Sequence, residues 1–387
     1  MTYVGKKVKE ARKRAGLTQS ELATHSGVSV STIRKLEQGD RDGARMETLH
    51  ALARTLRLST MDLVAEPHEE GPQPGTSELW LPVRAAVMAP PARDDVDAAT
   101  PEGVAAVLEE GISLYREHQF VELAAVLPAL LRDADTLAYD GREVRARVLR
   151  LAAGALTHTR QFDIAELVAK RAVEEAQDRL GASASVNTLA WLLMRQGRLG
   201  EAQTLATQWA DDMEPRISRA TSGELAAWGL MLVRASGAAA RNNHKDVATD
   251  MLRFARTAAT AIGREVCPEH ENARTFGPTT MRMWTVENEL IRDRPDAALR
   301  LSEGLPIFSV RPTKSVRNRH ELDIARAHAR LGQFVEAFDK LSQVRKASPQ
   351  WFPNQTFARD TLQAVIAGRR TLTPEMREMA DALRLSL

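Results

Sequence analysis

The chain holds 387 residues, 43% hydrophobic and 27% charged, with a formal net charge of +2. That is an ordinary globular composition, at a length beyond what one hydrophobic core organises. It contains no run of about 18 apolar residues that would span a bilayer. Its start, MTYVGKKVKEARKRAG, lacks the apolar centre of a signal peptide. The single cysteine, Cys267, excludes an intramolecular disulfide framework and a multi-cysteine zinc site, so a cytoplasmic protein is expected.

The charge is unevenly spread. Residues 1–65 carry 12 Lys/Arg against 7 Asp/Glu, whereas residues 66–140 carry 4 against 15. A basic head followed by an acidic stretch suits a nucleic-acid-binding module with a solvated tether.

Residues 5–14, GKKVKEARKR, put Val8 and Ala11 on one face of a short basic helix, and Gly16 is placed to end it. Thr18 then starts a second helix, and Glu21, three residues on, completes a capping box. That helix buries Leu22 and Ala23, and Gly27 stands where a left-handed turn residue is wanted. Ser29 caps a third helix with Ile33 and Leu36 facing inward, closed by Gly39. METLHALARTL forms a fourth, presenting Leu49, Leu52, Ala53 and Leu56, and TMDLVAE a short fifth.

Two short helices joined by a glycine-containing turn are the helix-turn-helix arrangement. The run LTQSELATHSGVSVSTIRKLEQG followed by TLHALARTLRLSTMDLV resembles the Cro/CI-type, or XRE, family of regulators. The resemblance implies a five-helix, lambda-repressor-like domain over residues 1–65. It implies that Gln19 contacts a DNA phosphate and braces the recognition helix, which begins after Ser29. Val30, Ser31 and Lys35 then point at base edges with Arg34 beside them, and Gln38 touches phosphate. Arg41 and Arg45 can reach phosphate or a minor groove. The chemistry agrees, because Arg and Lys donate to guanine, serine pairs with several bases, and valine can meet a thymine methyl.

Residues 66–101 contain seven prolines and few large apolar residues and read as an acidic, proline-rich linker. The exception is LWLPVRAAVM, residues 79–88, where Pro82 can open a short helix and Trp80 needs somewhere to dock.

From residue 102 to 387 no strand is expected, and paired helices recur with a shared spacing. One unit reads Ala325, Gly332, Phe334, Ala337; another Ala190, Gly197, Leu199, Ala202; a third Ala153, Arg160, Phe162, Ala165. Weaker copies are Val286, Asp293, Pro295, Ala298, a region around Asn242 and Val247, and a first unit with Gly111, His118, Phe120 and Leu123. Small residues repeated where helices cross allow close stacking. The pattern resembles tetratricopeptide repeats, so the fold class is all-α, a helix-turn-helix head and a helical solenoid. Residues 267–284 interrupt it, and Thr275 or Pro278 restarts a helix.

In such repeats the first helices line a concave face, which puts Arg147, Arg150, Asn187, Trp191, Arg195, Met283, Glu287, Arg319 and Arg326 inward. Of these, Arg150, Asn187, Trp191, Arg195 and Arg326 are the candidate effector contacts. Asparagine both donates and accepts, as a peptide backbone requires, and arginine grips carboxylates bidentately.

No phosphate loop, HExxH, GxSxG or CxxC pattern occurs. Cys267, Glu269, His270 and Glu271 read as a chance surface cluster, and His118, His158 and His328 as surface residues near repeat turns. No catalytic residue, metal site or cofactor is expected. The domain order resembles actinobacterial XRE regulators with a tetratricopeptide C-terminal half, and peptide-sensing regulators of Gram-positive bacteria. The expected function is a nucleoid-associated, homodimeric regulator of a double-stranded DNA operator, answering to a peptide or small-molecule effector. The alternative is a repeat scaffold or antitoxin-like partner with a DNA-targeting head.

Overall fold

The structure, a computed structural model, describes residues 3–14, 17–38, 46–56, 63, 76–89, 99–268, 271–272, 274–306, 313–369 and 371–385. The chain divides into two compact units, Met1–Gly71 and Pro72–Leu387. Among the described residues there is no strand, only an isolated antiparallel bridge between Val266 and Phe276. No helix of the described residues is long and apolar enough to cross a membrane.

The first unit contains α1 (Tyr3–Arg14), α2 (Gln19–Ser26), α3 (Val30–Gln38) and α4 (Met46–Thr55). The capping box expected at Thr18 is present: its hydroxyl accepts from Glu21 N, and Glu21 accepts from Thr18 N at 2.7 Å. Gly27 has φ 71°, and its N–H closes on Ala23 O. Ser29 Oγ accepts from Thr32 N at 3.1 Å, satisfying one of the donors that a helix start leaves open. Val8, Leu22, Ile33, Leu36, Leu49, Leu52 and Leu63 pack together in one core, none more than 3% exposed. Gly16, Gly39 and the run of the expected fifth helix apart from Leu63 lie outside the described residues.

The second unit begins with α5 (Thr76–Leu79) and α6 (Leu81–Met88), within the stretch whose composition suggests a linker. Pro82 sits in the first turn of α6. Trp80 is fully buried, in one cluster with Val83, Val87, Phe120, Leu123 and Leu127, and Arg84 forks onto Asp163 at 2.9 and 2.6 Å. Burying a side chain of tryptophan size is worth several kcal/mol on the area scale (roughly 25 cal/mol per Å²). That is why this short helix packs on the repeats.

Helical hairpins follow: α7 (Pro101–Arg116) with α8 (Phe120–Thr136), α9 (Arg142–His158) with α10 (Phe162–Glu175), α11 (Arg179–Arg195) with α12 (Leu199–Asp212). Then come α13 (Ser222–Arg241) with α14 (Lys245–Ile262), α15 (Pro278–Ile291) with α16 (Pro295–Ser302), α17 (Lys314–Arg330) with α18 (Phe334–Ala347), and α19 (Thr356–Ala367) with α20 (Pro374–Ala382). The first helices touch in series as an inner layer, and each second helix packs between its own first helix and the next.

One register runs through the first six hairpins. Their turns each contain a left-handed residue: His118, Arg160, Gly197, Asn243, Asp293 and Gly332. Seven positions before it stand Gly111, Ala153, Ala190, Ser236, Val286 and Ala325, and five after it Leu123, Ala165, Ala202, Ala248, Ala298 and Ala337. All twelve are buried. The expected phasing holds in five units and is one residue off in the fourth, where the turn falls on Asn243 and the small residues on Ser236 and Ala248. There Ser236 Oγ ties the two helices by donating to Ala248 O at 2.7 Å.

Candidate functional site

The head presents one polar helix face. Ser31, Arg34, Lys35 and Gln38 of α3 are exposed and Val30 is half-buried, while Ile33 and Leu36 are turned into the core. Ser29 is exposed and bonds Ser31 Oγ at 2.9 Å and Thr32 Oγ1 at 2.8 Å. A single face of a short helix is what a major groove admits.

What holds that face in place is an ion pair not foreseen from the sequence. Arg12 of α1 forks onto Glu37 of α3, Nε to Oε1 at 2.7 Å and Nη2 to Oε2 at 2.8 Å, and its Nη1 donates to Leu17 O. Gln19 completes the arrangement by donating its amide to Glu37 Oε2 at 2.9 Å. The Glu37 side chain is only 2% exposed. Burial presses its carboxyl upward, but the hydrogen bonds from Arg12 and Gln19 and the charges of Arg12 and Lys9 hold it below the usual carboxylate range. Arg41 and Arg45 lie outside the described residues.

The inner face of the second unit differs from an open groove. The segment between α14 and α15 folds into it. Val266 and Phe276 exchange backbone hydrogen bonds, and Phe276 lies fully buried against Gly229, where a Cβ would meet its ring at 2.1 Å. Glu265 accepts from Thr279 N and Thr280 N and so caps α15, in which Pro278 occupies the first turn as expected. Arg116 donates to Asn272 O at 2.6 Å. Between α7, α9 and this segment remains a cleft of about 300 Å³, lined by Glu109, Ile112, Arg116, Arg147, Cys267, Pro268 and Glu271.

The expected effector contacts therefore separate. Asn187 has no exposed surface: Nδ2 donates to Glu271 at 3.1 Å, and Oδ1 accepts from Arg234 Nε at 3.0 Å. Arg150 is buried too, donating to Ser185 Oγ and Gly181 O, and burial draws its guanidinium down to about 10. Both are engaged within the fold. Trp191, Arg195 and Arg326 stay half-buried on the inner layer. Trp191 meets His158 edge-on at 4.7 Å, and Arg274 lies over its ring at 5.9 Å.

His118 and His158 correct the expectation of surface histidines. His118 stacks on Trp351 at 5.2 Å and bonds Ser348 Oγ and Ser315 Oγ; His158 Nδ1 accepts from Trp351 Nε1 at 3.1 Å. Burial, with some repulsion from Lys314, lowers His118 to about 3, and burial likewise keeps His158 well below its ordinary value. Both rings stand at hairpin turns, where the segment around Trp351, far along the chain, covers them. His270 and Glu269 lie outside the described residues.

Residues 8–63 match the family described as helix-turn-helix. With the capped turn and the exposed face of α3, that match identifies a helix-turn-helix domain of XRE type in the head. Over 65 residues it is 35% identical to an uncharacterized HTH-type transcriptional regulator, RghRB, of Bacillus subtilis strain 168. That alignment takes in 17% of this chain and 47% of the relative, so the match spans about half of the relative's length. Two solved structures align more broadly at low identity. Bacillus thuringiensis PlcR, in complex with the peptide PapR7 and DNA, is 12% identical with a TM-score of 0.38, covering 82% of this chain and 99% of that one. A Rap protein complexed with Competence and Sporulation Factor is 13% identical with a TM-score of 0.43, covering 74% and 88%.

Proposed function

We propose that this protein is a sequence-specific DNA-binding transcriptional regulator whose repeat unit binds an effector. The observation that carries the reading is the exposed row Ser31, Arg34, Lys35 and Gln38, with half-buried Val30 beside it, on a helix locked to α1 and α2 through Glu37. Residues 1–65 act as the reading head: Lys35, Ser31 and Val30 read base edges, Arg34 beside them, and Gln19 and Gln38 hold phosphate with Arg41 and Arg45. Ser29 orders the start of the recognition helix.

The protein acts as a homodimer on two half-sites one helical turn or a multiple apart, since one small head buries little surface on DNA. It works in the cytoplasm at the nucleoid, without a catalytic step. The effector, a peptide or small acid, meets Trp191, Arg195 and Arg326 on the inner layer of the repeats, with Asn187 and Arg150 supporting that surface from beneath. Selection of binding sites from a random duplex pool with the full-length protein tests the reading. An enriched two-half-site motif is expected. A pool that stays random, with a monomer seen by light scattering, overturns it.

A further inference from the structure

Glu287 of α15 serves two arginines with one oxygen. Arg241 Nη2 reaches its Oε1 at 2.5 Å and Arg319 Nη2 at 2.9 Å. Two guanidiniums, those of Arg319 and Arg326, also stack on the single ring of Phe357, 4.2 and 4.4 Å from its centroid. Arg195 completes the group. Among the described residues it makes one long bond, to Asn354 O at 3.3 Å, and its buried Nε has no partner there. Arg326 forms no hydrogen bond or ion pair among the described residues.

The charges do not balance. Two guanidiniums hold Glu287, and those of Arg195 and Arg326 lie near enough to Arg319 to be repelled by it, with Asp323 and Asp360 as the other acids beside Arg326. Arg319 Nε lies 3.4 Å from Asp323 Oδ1, too long for a hydrogen bond with good geometry. Burial raises Asp323 to about 7, which removes part of its negative charge near neutral pH, and burial also raises Asp360. Burial and then repulsion from Arg160, Arg319 and Arg241 bring Arg195 down to about 9; burial, Arg330 and Arg319 bring Arg326 to about 10. Uncompensated buried cations are costly, and an oxyanion seated among them relieves that cost. The site is also open: Arg241 and Arg319 each keep 27% of their side chain accessible.

We infer that Arg195, Arg241, Arg319 and Arg326, arranged around Glu287 and Phe357 on the inner layer, form a binding site for a doubly charged oxyanion, a dicarboxylate or a phosphate group. The open donors of Arg195 and Arg326 take the anion's oxygens in the forked geometry that guanidinium offers to both kinds of group. Arg241 and Arg319 remain on Glu287, and Phe357 walls one side. This deepens the effector reading of the repeat unit and rests on it.

The test uses the full-length protein without DNA, so its result does not depend on operator recognition. Thermal unfolding is followed in rising succinate, and separately in inorganic phosphate, against sodium chloride of equal ionic strength. A midpoint that climbs with the logarithm of anion concentration above a saturable threshold is expected in at least one series. The tighter of the two identifies carboxylate or phosphate as the preferred group. Arg326→Gln, which breaks no hydrogen bond or ion pair among the described residues but removes one of two cations stacked on Phe357, should lose little unfolding midpoint in chloride yet bind the anion at least tenfold more weakly; Arg195→Gln should weaken it likewise. If neither anion exceeds chloride, or if both variants respond as the parent does, the site does not exist. Loss of operator binding in an otherwise anion-responsive protein would instead strike at the regulator reading alone.

Discussion

Gln19, the first residue of α2, donates to Glu37 Oε2 at 2.9 Å, one residue before the end of α3. The side chain expected to hold a phosphate is thus fastened to the helix expected to read bases. Gln19→Ala should weaken binding to all duplexes alike, by about 1–2 kcal/mol, as loss of a phosphate contact does. Titration of specific and random duplexes measures both. A changed base preference with intact non-specific affinity would show that Gln19 has another role.

The Arg12–Glu37 pair should matter more to the fold than to contact. Arg12 is 11% exposed and Glu37 2%, so Arg12→Met leaves a buried carboxylate without its cation. The expected cost to the head is about 3–5 kcal/mol. Amide exchange of the α1 and α3 backbone should speed accordingly, whereas the double change Arg12→Met with Glu37→Leu should recover much of the loss. If the single variant exchanges like the parent, the pair does not anchor α3.

Much of this architecture was legible in the sequence because it is local. The Thr18–Glu21 box, Gly27 and Ser29 act within three or four residues, and the small residues of each hairpin recur at fixed offsets from the turn. In the fourth hairpin, adjacent Asn242 and Asn243 look equally suited to a turn, and only the backbone shows φ 64° at Asn243. What the sequence did not reveal is non-local. Glu37 meets Arg12 across 25 positions, Asn187 meets Glu271 across 84, and Trp351 meets His158 across 193. A periodic pattern marks Asn187 as inward-facing, but it does not show that an intervening segment folds over it.

The hairpin turns give a prediction independent of DNA. Gly332 has φ 75° with nothing within 4 Å of a would-be Cβ, so Gly332→Ala isolates the backbone term. It should cost about 1–2 kcal/mol. Asp293, at φ 61°, spends its carboxylate on a solvent-exposed pair with Arg330, so Asp293→Gly should leave stability unchanged or raise it. Denaturant unfolding compares the two, and equal effects would contradict the shared register.

His118 makes stability depend on pH in a known direction. Its pKa falls from 6.5 to about 3 in the fold, so below about pH 6.5 the unfolded chain binds the proton more readily. The stability it contributes is whole above that value and is lost progressively as pH falls towards 3. Asp323, raised to about 7, titrates in the opposite sense, so the difference between the parent and His118→Gln is the quantity to read. The parent should lose more midpoint than the variant between pH 7 and pH 5. Parallel curves would mean that the ring is not held neutral by burial.

The most direct measurement is parallel site selection with the full-length parent, Lys35→Ala and Ser31→Ala. Both side chains are exposed on the face of α3, and each lost base contact should cost about 1–3 kcal/mol. The expected result is a motif for the parent whose preference relaxes at different base positions in the two variants, with non-specific affinity retained. An unchanged motif in both variants would show that α3 does not read the bases.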